Sequence, residues 1–137
     1  MNFRAGAISF LSFTGMIDAL YLSLKRNSGP IQCHITHGCT DVLTSRYSEV
    51  FGVPLSTIGL VFYVGIFSLA IFCLFGTTKT LKWIFWPASA AVGVSAVLVG
   101  IQAFALHAYC EYCLLSASLV LLIFILAPRP RLHTPLL

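Results

Sequence analysis

Long apolar runs constrain this chain more than any other feature of its sequence. Residues 5–24 contain one charged residue, Asp18, and residues 55–76 contain none. A helix of about 20 apolar residues, rising 1.5 Å per residue, crosses a hydrocarbon core roughly 30 Å thick. Each of these two runs therefore predicts one membrane-spanning helix. A cleavable signal peptide is the alternative for residues 1–24, but the apolar core is longer than such peptides carry, so we expect a retained span.

The apolar stretch 83–127 is too long for one crossing. Its polar interruptions are Gln102, His107 and Glu111. A fold-back at these residues divides the stretch into two further spans, predicted at residues 83–106 and 108–127.

Composition excludes several other classes of protein. Hydrophobic residues make up 58% of the chain and charged residues 9%, which is too little polar surface for a soluble domain or a disordered chain. The eight Lys and Arg residues form no basic stripe, so no nucleic-acid partner is expected. Backbone groups in lipid must be satisfied internally, and 20-residue runs without alternation favour helices over a barrel. We predict an all-α membrane protein: one four-helix transmembrane bundle spanning residues 1–137, monomeric in lipid.

The distribution of positive charge predicts the orientation. Four crossings place both termini and the 77–82 turn on one side, with five Lys and Arg residues, and the 25–50 loop on the other, with three. The positive-inside rule then favours cytoplasmic termini in an inner or plasma membrane. The 25–50 loop and the turn at His107 would be extracytoplasmic.

Four of the five cysteines form two pairs in the sequence. Cys33 and Cys39 lie in the first loop, and Cys110 and Cys113 form a C-x-x-C where the fourth span begins. The topology, drawn from apolar lengths alone, places both pairs on the extracytoplasmic face, where disulfides form and persist. Cys73 lies mid-span and is expected to be a small buried hydrophobe.

A C-x-x-C at a helix start favours redox chemistry. Residues i and i+3 share a helix face, and unpaired backbone N–H groups there favour the reactive thiolate. Glu111 opposes this effect, and His107 is either a proton carrier or a hydrogen-bonded bystander. Two dithiols on one face predict exchange through mixed disulfides between a soluble partner and the fixed pair. Two static disulfides that staple the loops are the structural alternative.

A dithiol that oxidises others must itself be reoxidised, and a lipid-soluble quinone is the acceptor within reach of a bundle's outer end. Phe62 and Tyr63 offer flat apolar surface with a phenol, although core packing is their commoner role. Asp18 is either a proton route for quinone reduction or a locally paired carboxylate.

Two further functions compete with this interpretation. Cys and His residues on the outer face could bind a metal, although their spacing matches no zinc module. The second competitor is a small structural or assembly subunit. The metal-binding set would be Cys33, His34, His37, Cys39, Cys110 and Cys113.

The ordered pattern of these motifs resembles the vitamin K epoxide reductase family, especially its bacterial and archaeal homologues, over about residues 8–127. No single motif is as specific as the order in which they occur. The matching residues are Cys39, Ser45, Phe51, Gly52, Gly59, Phe62, Tyr63, Cys110 and Cys113.

The resemblance implies a quinone reductase that takes electrons from a thioredoxin-like protein. Cys113 would face the quinone, ubiquinone or menaquinone, and Cys110 would exchange with the Cys33–Cys39 pair, which meets the partner. Ser45 would hydrogen-bond near the sulfurs, and residues 51–56 would form a short interfacial lid helix between the first two spans. The quinone pocket is predicted to include Phe62, Tyr63, Ser56 and Ala117.

The chain departs from the family pattern at three points. Many bacterial members carry a fifth span and a fused thioredoxin-like domain, so here the partner is expected to act in trans. Ala117 and Leu55 replace a tyrosine and an asparagine of the vertebrate enzymes. Both replacements favour a plain quinone over vitamin K epoxide, whose reduction is the alternative function.

Overall fold

The computed structural model describes residues 3–26, 45–76 and 79–128, and these are predominantly helical. The described elements, in chain order, are α1 (Phe3–Arg26), a 3-10 helix (Arg46–Ser48), β1 (Glu49–Val50), β2 (Val53–Pro54), α2 (Leu55–Leu74), α3 (Thr80–Trp83), α4 (Phe85–Ile101), a π-helical segment (Gln102–Leu106) and α5 (Glu111–Leu126).

Three helical stretches are long and apolar enough to cross a membrane. They are α1 with 24 residues, α2 with 20, and the stretch Thr80–Leu106 with 27. These stretches confirm the first three predicted spans. Helix α5 is equally apolar but has 16 residues, or roughly 24 Å at 1.5 Å per residue. It is shorter than a standard span of about 20 residues, so the four-span count stays a prediction.

Each long helix has a narrow buried face and a broad apolar outer face. On α1 the fully buried positions recur every three or four residues, which is the spacing of one helix face. Large apolar side chains such as Phe10 and Ile17 point outward from α1, as Val61 and Phe72 do from α2. Apolar residues all round a helix suit lipid, because hydrocarbon replaces water as the solvent of the outer face.

Helix α1 is the centre of the packing. It packs most extensively on α2, and it also packs on α5, which in turn packs on α4. The main core contains Ile8 of α1, Tyr63 and Ile66 of α2, and Ile123 of α5. Near the ends of α1 and the π-helical segment, a second cluster surrounds Leu22 and Cys110.

Gly15 of α1 lies directly against the Tyr63 ring of α2. A Cβ atom there would lie 2.3 Å from Cε1 of Tyr63, so only glycine fits against this ring. Four other glycines within the spans make no such contact. A Cβ atom would meet nothing within 4 Å at Gly59, Gly65, Gly93 or Gly100.

Residues 49–54 form a β-hairpin, where the family resemblance implied part of a lid helix. Glu49 pairs with Pro54 and Val50 with Val53. Phe51 and Gly52 form the turn with φ angles of 52° and 81°, which are left-handed and incompatible with a right-handed helix. The predicted helix over residues 51–56 is therefore wrong: helix begins at Leu55, directly after Pro54. Most of the first loop, with Cys33 and Cys39, lies outside the described residues.

The contact at Gly15 predicts a large effect from a single methyl group. Gly15→Ala should destabilise the protein by about 1–3 kcal/mol, because the buried Tyr63 ring must move. Gly65→Ala is the matched control, since its Cβ atom would enter open space. Thermal unfolding of both variants in the same detergent measures the difference, and equal melting temperatures would contradict the described packing.

Candidate redox site

Gln102 organises the turn between α4 and α5. Its backbone oxygen accepts a hydrogen bond from the Ala108 N–H at 3.1 Å, and its side-chain Oε1 accepts one from the Cys110 N–H at 3.1 Å. Gln102 and Cys110 are both buried, so few other acceptors are available to the Cys110 N–H. His107 adopts a left-handed conformation with a φ of 49°, which reverses the chain after the π-helical segment. A π-helical turn adds a residue locally and is common at functional sites.

The turn delivers two cysteines to the start of α5. Cys110 precedes the helix and is fully buried, whereas Cys113 is half-buried one turn later. Both are free thiols, and their side chains lie close enough to interact with each other. The Cys110 sulfur also interacts electrostatically with the N–H groups of Tyr112 and Cys113, although it makes no standard capping bond. Two thiols in contact at adjacent turns can form a disulfide without unfolding the helix.

Cys113 opens onto a cavity of about 120 Å³ among the helices. Most of the lining surface is apolar, although eight of the lining side chains are polar, and an apolar site with polar groups is the usual character of a small-molecule site. Among the predicted site residues, the cavity is lined by Cys113, Ser45, Ser56 and Ala117. The other lining residues are Asp18, Ala19, Leu22, Arg26, Ser48, Leu55, Gly59, Ser95, Leu98, Val99, Ile101, Gln102, Leu106 and Ser116.

Phe62 and Tyr63, also predicted for the quinone pocket, are not among the lining residues. Tyr63 is buried behind the wall, where its hydroxyl donates to the Ser116 carbonyl at 3.0 Å and lies 2.8 Å from Ser116 Oγ. Phe62 packs edge-on against the Tyr63 ring with centroids 5.3 Å apart. Tyr63 therefore supports Ser116, which does line the cavity, one turn after Cys113.

Arg26 closes the cavity at the end of α1. Its guanidinium donates to the backbone oxygen of Ser48 at 3.4 Å and to Ser48 Oγ at 3.3 Å, and it forms a salt bridge with Glu49. Ser48 Oγ in turn donates to the Ser45 carbonyl at 2.7 Å. These bonds fix the 3-10 helix over the cavity and bring Ser45 to its edge.

Sequence reasoning did not identify several of these positions as parts of the site. In the sequence, Gln102 was only a polar interruption of an apolar run. Arg26 was only one of the positive charges that predict the orientation in the membrane. The Arg26 contacts span more than 20 residues of chain and leave no local pattern. Ser116 had one available signal, since it follows Cys113 by one helical turn. His107 is exposed and is absent from the cavity lining.

The described part of the chain contains no group of three His, Cys, Asp or Glu residues arranged to hold a metal ion. The loop residues of the metal-binding alternative, Cys33, His34, His37 and Cys39, lie outside that part.

The fold and the site together define a class: an integral membrane protein of apolar helices with a C-x-x-C dithiol at a cavity among the helices. The model of the vitamin K epoxide reductase family matches residues 7–127, and the chain belongs to that family. It is also 35% identical over 134 residues to thiol-disulfide oxidoreductase LTO1 of Arabidopsis thaliana. The alignment covers 83% of this chain and 33% of the plant protein, so the chain spans about a third of that relative.

The hydrogen bond between Gln102 and Cys110 predicts how a substitution of Gln102 should change stability. Gln102→Leu should destabilise the protein by about 1–3 kcal/mol, since the buried Cys110 N–H loses its acceptor. Ser118→Ala is the control, because it removes one hydrogen bond, to the Leu114 carbonyl, at an exposed position of α5. Denaturation in detergent compares the two, and similar small losses would show that Gln102 does not hold the turn.

Proposed function

We propose that this protein is a membrane thiol–disulfide oxidoreductase that oxidises a soluble thioredoxin-like protein and passes the electrons to a membrane quinone. One observation carries the proposal: the Cys110 and Cys113 thiols lie one helical turn apart and close enough to interact, and Cys113 lines the cavity. A dithiol in this position can take part in thiol–disulfide exchange with another cysteine pair. It can also contact a small lipid-soluble oxidant in the cavity. Family membership and the name of the plant relative support the same chemistry.

The cavity suits a quinone ring, ubiquinone or menaquinone. Leu98 and Val99 provide apolar wall, while Ser56 and Asp18 offer polar groups for carbonyl oxygens. A second, mainly apolar groove of about 610 Å³ lies between α4 and the segment 46–55 and shares Leu55, Leu98 and Ile101 with the cavity. This groove would accept a hydrocarbon tail. When bound, the quinone supplies the two-electron oxidising capacity that the chain's own side chains lack.

A plain quinone fits this cavity better than vitamin K epoxide. Leu55 and Ala117 both line the wall, at the positions where the resemblance places asparagine and tyrosine in vertebrate enzymes. Neither side chain can hydrogen-bond to an epoxide oxygen. Reduction of vitamin K quinone or its epoxide is therefore the second candidate activity.

The remaining residues have separate roles in the proposal. The Cys33–Cys39 pair exchanges with the thioredoxin-like partner in trans and carries the disulfide to and from Cys110. Ser45, which lines the cavity, hydrogen-bonds near the reacting sulfurs and positions them. Tyr63 and Phe62 act from behind the wall, through Ser116.

Variants of the four cysteines test the proposed order of transfer. Replacing Cys110 or Cys113 with alanine should abolish quinone reduction with every donor, because the dithiol next to the cavity is lost. Replacing Cys33 or Cys39 should block a thioredoxin-like donor but spare turnover with dithiothreitol. Quinone absorbance, followed with the purified protein and each donor in turn, measures both effects.

Cys73→Ala is the matched control, since Cys73 lies in the core of α2 and away from the cavity. It should retain turnover with both donors. Equal loss in all four test variants with both donors would reject the relay between the pairs.

The proposal places the cysteine pairs on the extracytoplasmic face of the inner or plasma membrane. In a variant whose native cysteines are replaced by serine, Tyr109→Cys should react with a membrane-impermeant maleimide in intact cells. Lys82→Cys should react only after the membrane is opened. Both parent residues are exposed, so the reverse pattern would invert the proposed orientation.

A further inference from the structure

Asp18 is the buried polar group that the redox pair does not explain. The residue is 7% exposed, and its Oδ2 atom has no hydrogen-bond partner among the residues that the structure describes. It lines the same cavity as Cys113, although it lies on α1 and Cys113 on α5. It is also near enough to Cys110, Cys113 and Tyr63 to interact with them electrostatically.

An ion pair does not account for Asp18 within the described residues. Arg26 also lines the cavity, but its salt bridge is with Glu49 and its other bonds are with Ser48. An unpaired carboxylate inside a membrane span is costly, and ionisable groups kept there commonly serve transport or proton transfer. The neutral carboxyl carries one O–H donor and avoids that cost.

Several other polar groups of the cavity already have partners. The Gln102 Oε1 accepts from Cys110, Ser116 bonds to Tyr63, and Ser48 bonds to Arg26 and to the Ser45 carbonyl. Within residues 3–26, 45–76 and 79–128, no side chain or backbone group bonds to the Asp18 Oδ2, which belongs to a residue of the cavity that Cys113 also lines. A ligand carbonyl oxygen is the partner that a protonated carboxyl would take there.

We propose that Asp18 is the hydrogen-bond and proton donor to the quinone carbonyl oxygen nearest α1, an inference that rests on the proposed function. Oxidation of the Cys110–Cys113 dithiol forms one S–S bond and releases two electrons and two protons. Reduction of the quinone to its hydroquinone consumes the same two electrons and two protons. Asp18 gives one proton to the carbonyl oxygen and regains one from the dithiol, so it ends each turnover protonated.

Asp18→Asn tests this role with little change in shape. The amide keeps hydrogen-bond donors but cannot release a proton at neutral pH. With the full chain reduced by dithiothreitol and mixed with a short-chain ubiquinone, single-turnover quinone reduction should slow about 100-fold or more, the lower range for loss of a general acid. Reduction of the Cys110–Cys113 disulfide by dithiothreitol should stay within about twofold, and Asp18→Glu should restore part of the rate.

Ser12→Ala is the control on the same helix. Ser12 is fully buried, bonds only to backbone oxygens of Ile8 and Ser9, and is absent from the cavity lining. It should reduce quinone at the wild-type rate. A loss equal to that of Asp18→Asn would indicate a packing effect on α1 and overturn the assignment.

A measurement on the wild-type protein does not depend on turnover. Infrared difference spectra recorded as the short-chain ubiquinone binds to the disulfide form should show a shifted band of a protonated carboxyl group. A band that does not shift, or an Asp18→Asn variant within about threefold of the wild-type rate, would overturn the inference. If wild type itself fails to reduce quinone, the proposed function falls, and the infrared result still decides whether Asp18 contacts the ring.

The pH dependence of the reaction involves other groups around the cavity. The titratable groups that line it or interact with Asp18, within the described residues, are Arg26 of α1, Tyr63 of α2, and Cys110 and Cys113 at the start of α5. Helix α4 contributes no titratable side chain to the lining. All the variants retain these groups. Their rates are therefore compared at a single pH, so that a difference in rate reflects the substitution.

Discussion

The contact between Tyr63 and two neighbouring helices underlies the arrangement of the site. Its ring lies against the bare backbone of Gly15 on α1, and its hydroxyl bonds to Ser116 on α5. In lipid there is no hydrophobic force between helices, so close packing and buried hydrogen bonds must hold them together. This one side chain supplies both. Since Ser116 and Cys113 are one turn apart, the same contact sets the face that α5 turns toward the cavity.

The hydrogen bonds of two other side chains, Gln102 and Arg26, hold the parts of the site that Tyr63 does not contact. Gln102 fixes the turn that carries Cys110, and Arg26 fixes the segment that carries Ser45. Both connect parts of the chain that the main core does not reach, because the apolar core ends near Leu22. The site therefore lies between the apolar bundle and a polar rim, by which we mean the two segments that Gln102 and Arg26 hold. Each part contributes different atoms. The bundle provides the cavity, and the rim sets the position of the sulfur pair.

Apolar length and cysteine spacing predicted much of this from sequence. Runs of about 20 apolar residues located the first three spans, because hydrocarbon leaves the backbone few alternatives to helix. Features that depend on distant contacts were not predictable. The left-handed Phe51 carries no sequence signal, since phenylalanine rarely adopts that conformation, and the lid helix was wrongly expected there. Gly15 looked no different from Gly65, because only the position of the Tyr63 ring distinguishes them.

The complete burial of Cys110 has a consequence for electron leakage. A sulfur with no accessible surface is out of reach of an unrelated folded protein, because thiol–disulfide exchange requires in-line approach to the sulfur, whereas a small dithiol can approach the half-buried Cys113. A protein donor therefore needs a short, flexible peptide segment that can reach the turn after α4. Selectivity among protein donors then depends on steric access to the sulfur pair rather than on reduction potential.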